Sequence, residues 1–193
     1  IIATGSSSFE LADKISEPLT GRCRLYNLYP LSFLELKEKS NEFALKRKTE
    51  ECLIFGSYPE ILTTVSLSEK ERLLKDIERT YLYKDSLSLA NIKYPLKLKD
   101  LLKLLSFQIG NEVSLTELAE RLALSRDAVE NYLDLLEKSF IVFRLRGFSR
   151  NLRKEIRKMD KIYFYDLGIR NAVIDNFKPV KDRNDFGQLW ENF

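Results

Sequence analysis

The sequence predicts a mainly helical α+β chain with small β elements, and three features of its 193 residues carry that prediction. Apolar residues recur at helical spacing through much of residues 31–84 and 98–136. Serine–glutamate pairs three residues apart stand just before several of those runs. Strand-like runs are short and confined to the neighbourhoods of Ile1, Arg22, Phe140 and Ile162. A chain of this length buries roughly 70% of its unfolded surface, so a true core is available. With 44% hydrophobic and 32% charged residues, and only 7 Gly and 5 Pro, the composition is globular.

Ile1 to Thr4 reads as a short buried strand and Gly5-Ser6-Ser7-Ser8 as the turn after it. Ser7 with Glu10 is a capping box that opens a helix of about ten residues, closed by Pro18 to Gly21. Arg22 to Tyr29 alternates imperfectly and predicts a second strand. From Pro30 to about Glu51 the pattern is helical, with Phe33, Leu34 and Leu36 apolar. Gly56-Ser57-Tyr58-Pro59 is a turn whose proline suits the first position of a helix. Ser68 with Glu71 opens the next helix, which carries Leu73, Leu74, Ile77, Tyr81 and Leu82 through about Lys84. Residues 85–95 are polar, end in proline and read as a linker.

The second half is more regular. Leu98, Leu101, Leu102, Leu105 and Ile109 mark one helix, closed near Gly110-Asn111. Ser114 with Glu117 opens a short helix carrying Leu118, Ala119 and Leu122. Ser125 then caps a longer one with Val129, Tyr132, Leu133 and Leu136. A strand over Phe140 to Leu145, a basic stretch over Gly147 to Lys158 and a second strand over Ile162 to Tyr165 follow. Three helices and then a two-stranded ribbon is the order of a winged helix-turn-helix.

Composition also excludes chemistry. Histidine is absent, which removes Ser-His-Asp and Cys-His catalysis, zinc-hydrolase pairs and Cys₂His₂ fingers. Cys23 and Cys52 are too few for a disulfide framework or a four-thiolate zinc site, so no metal site is expected and a reducing, cytoplasmic setting is. The apolar runs at Phe140 to Phe143 and Ile162 to Tyr165 are far short of the ~20 residues needed to span a bilayer, so no membrane partner is expected.

Two stretches bear on a polyanionic partner, and they point in opposite directions. The would-be recognition helix carries Arg126 and Lys138 against Asp127, Glu130, Asp134 and Glu137, a net −2, which suits protein contacts at least as well as phosphates. Next to it, Arg144, Arg146, Arg150, Arg153, Lys154, Arg157, Lys158 and Lys161 give net +6 over 18 residues. Arg144, Arg146, Arg150, Arg153, Lys154 and Arg157 are the candidate nucleic-acid contacts, gripping DNA phosphates without regard to sequence. The alternatives are a solvated face or a basic surface that docks on protein. Thr4-Gly5-Ser6-Ser7-Ser8 lacks the Gly-Lys-Ser/Thr ending of a phosphate-binding loop and by pattern is a capped turn.

Four stretches together carry a family resemblance: Ile1-Ile2-Ala3-Thr4-Gly5-Ser6-Ser7-Ser8, Leu19-Thr20-Gly21-Arg22, Leu28-Tyr29-Pro30-Leu31-Ser32-Phe33-Leu34-Glu35 and Gly56-Ser57-Tyr58-Pro59-Glu60. They resemble the prokaryotic AAA+ superfamily ATP-binding proteins that carry a C-terminal domain of unknown function. Tyr163-Phe164-Tyr165-Asp166-Leu167-Gly168-Ile169-Arg170 and Gly187-Gln188-Leu189-Trp190-Glu191-Asn192-Phe193 resemble the C-terminal part of the same proteins.

The resemblance implies that Thr4 sits at the sensor 1 position near the γ-phosphate. It also implies that Arg22 is an arginine finger, neutralising the transition state of a neighbouring subunit in a homo-oligomer. Residues 1–30 would be the end of the α/β core, 31–90 the helical lid, 91–166 the winged helix-turn-helix and 167–193 the start of a restriction-endonuclease-like tail containing Glu191. Asp166 is expected to cap the helix that follows it. ATP and Mg²⁺ are the cofactors the intact protein would hold, with none expected in this stretch, because no Walker A or Walker B sequence is present. The opening Ile1 and the unstopped helical pattern at Phe193 are expected of a stretch cut at both ends.

Overall fold

A computed structural model of the chain describes residues 24, 26–38, 41–80, 92, 94–147 and 160–193. The expected strand at Ile1, the Ser7–Glu10 helix start and most of the 85–95 linker lie outside the described residues. Residues 26–29, expected to end a strand, are in none.

The first helices are set by local caps. Helix α1 (Phe33–Glu38) opens on a reciprocal box. Glu35 Oε2 accepts from the Ser32 N–H and hydroxyl at 2.8 and 2.7 Å, and the Ser32 hydroxyl accepts from the Glu35 N–H at 3.4 Å. The predicted 30–51 helix is two helices, the second with its own cap. Helix α2 (Glu42–Phe55) restarts on Asn41, whose side chain accepts from the Ala44 N–H at 2.8 Å. Helix α3 (Pro59–Thr63) has its proline at the first position, as predicted.

Helix α4 (Leu67–Thr80) begins one residue before Ser68, because Ser66 and not Ser68 is the cap. The Ser66 hydroxyl accepts from the Glu69 N–H at 3.4 Å and lies 2.9 Å from the Ser68 hydroxyl. Both serines have a glutamate three residues on. The earlier serine reaches a backbone donor of the first turn, which Ser68 inside the helix leaves to it.

Helix α5 (Pro95–Phe107) starts on Pro95, which therefore opens a helix instead of closing a linker. Strand β1 (Glu112–Val113), helix α6 (Leu115–Leu122), helix α7 (Arg126–Lys138), strand β2 (Val142–Leu145) and strand β3 (Asp160–Phe164) follow. The sheet is antiparallel with β3 central, in the order β1-β3-β2, with Glu112 opposite Lys161 and Val142 opposite Phe164. The third strand corrects the expected two-stranded ribbon. At two residues β1 is too short to show alternation. The chain then forms helix α8 (Leu167–Val173), a 3₁₀ turn (Val180–Asp182) and helix α9 (Phe186–Asn192).

One buried cluster runs from Leu53, Ile61 and Leu74 through Leu101, Leu105, Leu118, Leu133 and Phe164 to Ile169 and Leu189. The expected boundaries at residues 90 and 166 do not interrupt it. All seven residues of α8 are buried, and it packs on α2, α4 and α5, so residues 167–193 fold back on the first helices. A helix buried on every side lies inside a core, and this one, with its Arg170 and Asn171 buried as well, joins the two halves. Among the described residues no helix is long and apolar enough to cross a membrane. The chain is thus a mainly helical α+β protein with a small antiparallel sheet.

Candidate functional site

The α6–α7 pair is built as its sequence predicts. The Ser114 hydroxyl accepts from the Glu117 N–H at 3.3 Å, and the Ser125 hydroxyl accepts from the Ala128 N–H at 3.1 Å. Between them Ala123 takes a left-handed conformation with φ of 49°, and the Leu124 N–H reaches back to the Ala119 carbonyl at 3.0 Å, closing α6. Leu118, Ala119, Leu122, Val129, Tyr132, Leu133 and Leu136 are buried, whereas Arg126, Asp127, Asn131 and Lys138 of α7 are exposed.

Arg144 on β2 does not face outward. Its guanidinium pairs with Glu130, Asp134 and Glu137 of α7, with 2.6 Å to Glu137, whose other oxygen accepts from the Arg144 N–H at 2.8 Å. Burial alone would lower the guanidinium pKa, but the bonds to Glu137 and Glu130 outweigh it and raise it further. This corrects the expectation that Arg144 meets phosphates: it is 15% exposed and already surrounded by three carboxylates. The same contact explains the acidic character of α7, since its carboxylates at positions 130, 134 and 137 form one face that holds the strand. Arg146, two residues on, is exposed. Arg150, Arg153, Lys154 and Arg157 lie outside the described residues, as do Thr4 and Arg22.

A second constellation lies where α2 ends against α8. Asp166 caps α8, as predicted, with Oδ1 accepting from the Ile169 N–H at 3.1 Å. Its Oδ2 accepts from the Ser57 N–H at 2.7 Å, across 109 residues of sequence. Burial pushes the Asp166 carboxyl up to about 6, although the N–H groups of Ser57, Ile169 and Gly168 pull the other way. Burial likewise pushes the neighbouring Cys52 thiol up to about 12, and Asp166 adds to the effect, which favours the protonated thiol.

Two glycines permit the approach. Gly56 has φ of 75°, and a Cβ there would lie 2.0 Å from Asp166 Oδ1. A Cβ on Gly168 would lie 2.1 Å from the Phe55 carbonyl oxygen. Sequence reasoning saw Gly56-Ser57 only as a turn and Asp166 only as a cap. The signal was present in the two family-like stretches that contain them, but their contact was not.

Deeper in the same interface, Arg170 donates to the Ser106 carbonyl at 2.8 Å and to Asp185 at 2.5 Å. Arg183 donates to both Asp185 oxygens at 2.8 Å and to the Asn176 carbonyl at 2.7 Å. Asn171 accepts from both arginines and donates to the Leu53 and Ile54 carbonyls at 3.0 and 2.8 Å, tying the end of α2. Burial would raise the Asp185 carboxyl, but its bonds from Arg183 and Arg170 hold it down at about 2.

Glu191 is also structural. It accepts from Lys161 Nζ at 2.7 Å and from the Tyr163 hydroxyl at 2.8 Å. Next to it the Asn192 amide pairs with the Phe164 N–H and carbonyl at 2.8 and 2.9 Å, supplying the bonds of the strand that β1 is too short to provide.

The chain is 30% identical over 186 residues to an uncharacterized protein of Methanocaldococcus jannaschii, covering 86% of the chain and 41% of that relative. It is 25% identical over 183 residues to an uncharacterized protein of Haemophilus influenzae, covering 90% and 46% respectively. It is also 26% identical over 192 residues to an uncharacterized protein of Mycobacterium tuberculosis, covering 98% and 42%. The chain therefore spans less than half the length of these relatives. No solved structure matches it. Residues 1–37 match an AAA domain, so the chain opens with an AAA-like ATPase region. Residues 46–180, well over half the chain and including Ser57, Arg144, Asp166 and Arg170, match the model of a domain of unknown function (DUF8612), and the protein belongs to that family.

Proposed function

We propose that this chain is the coupling portion of an AAA+ ATPase, in which residues 1–30 end the nucleotide-binding core, the helices from residue 31 to 80 act as its lid, and residues 95–164 form a winged helix-turn-helix. The match of residues 1–37 to an AAA domain carries the reading. The order helix, strand, helix, helix, strand, strand with the last strand central supports the winged-helix part.

In the intact homo-oligomer, ATP with Mg²⁺ would bind at a subunit boundary. Thr4 would then stand near the γ-phosphate, and Arg22 would reach the neighbouring subunit's nucleotide to neutralise charge in the transition state. The test is ATP turnover and nucleotide binding by the full-length protein. Arg22→Ala is expected to abolish turnover while leaving nucleotide binding, because a finger acts on the transition state. A full-length protein that binds no ATP sinks the reading.

A second reading, DNA binding through the basic wing, is favoured by the exposure of Arg146 at the start of the basic stretch. Reversing Arg146, Arg150 and Arg153 to Glu should then weaken binding to every duplex and flatten its salt dependence. Arg144 is left out because its charge is spent on α7. Fluorescence anisotropy at two salt concentrations reads both effects. Equal binding before and after reversal removes the wing as a contact surface.

A further inference from the structure

We infer that the Ser57 peptide is a mechanical joint that passes movement of the AAA-like region to the central strand of the sheet. This rests on the reading that residues 1–37 end an ATPase core.

The peptide is gripped on both sides. Its carbonyl accepts from the Leu31 N–H at 3.1 Å, within the AAA-matched stretch, and its N–H is held by Asp166, two residues beyond the end of β3. Beside these bonds Tyr29 stacks on Tyr165 at 5.2 Å with an 11° interplanar angle and meets Phe140 edge-on at 6.2 Å. Residues 29–31 therefore contact Ser57 directly and Tyr165, the neighbour of the Asp166 that caps α8.

The joint has little slack. Gly56 and Gly168 bring backbone and carboxylate so close that neither position has room for a methyl group. Close-packed contacts of this kind pass displacement on instead of absorbing it. Beside the joint a cavity of about 180 Å³ is lined by Leu31, Ser32, Asn192, Asp166 and Ser57, and Phe33 meets Phe193 edge-on at 5.9 Å across it. The 29–33 segment is thus held at Tyr29, Leu31 and Phe33, and its hydrogen-bonded contact leads through Ser57 and Asp166 to β3. β2 pairs directly with β3, and Arg144 ties β2 to α7, so the α6–α7 pair lies at the far end of the same chain of contacts. Coupling requires such a connected element with two arrangements, and nucleotide at the core would bias which one is occupied.

The test uses the full-length protein with and without a non-hydrolysable ATP analogue, followed by hydrogen–deuterium exchange over residues 140–147 and 160–166. In the wild type the analogue is expected to change protection in both segments. Asp166→Ala and Tyr29→Ala should keep analogue binding and lose that change. Tyr29 is half exposed, so its variant carries the test if Asp166→Ala does not fold. Variants that bind the analogue and still transmit the change, or a wild type that binds it and shows none, overturn the joint alone. A wild type that binds no nucleotide overturns the ATPase reading and the joint with it.

Discussion

Arg144 and the Arg170–Arg183 pair are both held by carboxylates, in opposite proportion. Arg144 faces three acids of one helix from a position where those acids remain between 27% and 42% exposed. Arg170 and Arg183 share the single carboxylate of Asp185, with their side chains almost wholly buried. In the buried cluster the excess positive charge is met by main-chain carbonyls of Ser106 and Asn176 and by the Asn171 amide oxygen. Among the described residues no buried side-chain nitrogen or oxygen lacks a partner. In the surface cluster the excess negative charge sits on carboxylates that reach the surface. The difference is that a buried cation is locked by geometry, whereas the partly exposed one is interchangeable with solvent.

The largest effect should come from the buried side. Arg170→Ala strands the Ser106 carbonyl in the core and leaves Asp185 with Arg183 alone, and a broken buried pair costs about 3–5 kcal/mol, read as a fall in the urea midpoint with unchanged slope. A cost no larger than that of Arg144→Ala would break the comparison.

Asp166 sharpens it, being a buried carboxylate with N–H donors but no cation. Its folded pKa, about 6, lies above the ordinary carboxylate value. The folded state therefore binds a proton that the unfolded chain does not between about pH 6 and pH 4, and stability should rise as pH falls through that window. The difference between pH 7 and pH 4.5 attributable to Asp166 is on the order of 2 kcal/mol, and Asp166→Asn should remove it. Equal pH profiles for the two proteins would show that the carboxylate is not desolvated.

Arg144→Ala should cost about 1 kcal/mol at low salt, and the gap to wild type should narrow at high salt as repulsion among Glu130, Asp134 and Glu137 is screened. A large, salt-independent cost would place Arg144 with the buried class. Lys161→Ala, which removes a partly exposed partner of Glu191, should leave the denaturation midpoint nearly where it was. The Tyr163 hydroxyl still meets that carboxylate.

How much of this was legible beforehand follows from the range of each interaction. Ser114, Ser125, Pro59 and Asp166 act on the backbone within three residues or on their own φ, so their roles could be read directly from sequence. Where two local solutions overlapped, as at Ser66 and Ser68, pattern alone chose the wrong serine. The two-residue strand β1 had no periodicity to detect and exists because β3 offers it an edge.

What the sequence determined by itself was the α+β class and the order of most helices, which depend on spacing along the chain, together with the resemblance of its opening to AAA+ proteins. What only the tertiary structure decided was which charges meet. Arg144 reads as one more cation in a basic run until packing turns it onto α7. Ser57 and Asp166 read as a turn and a cap until the burial of α8 brings them within 2.7 Å. Local hydrogen bonds are encoded by neighbours three or four residues apart. A bond across 109 residues is set by the whole core that folds between its ends.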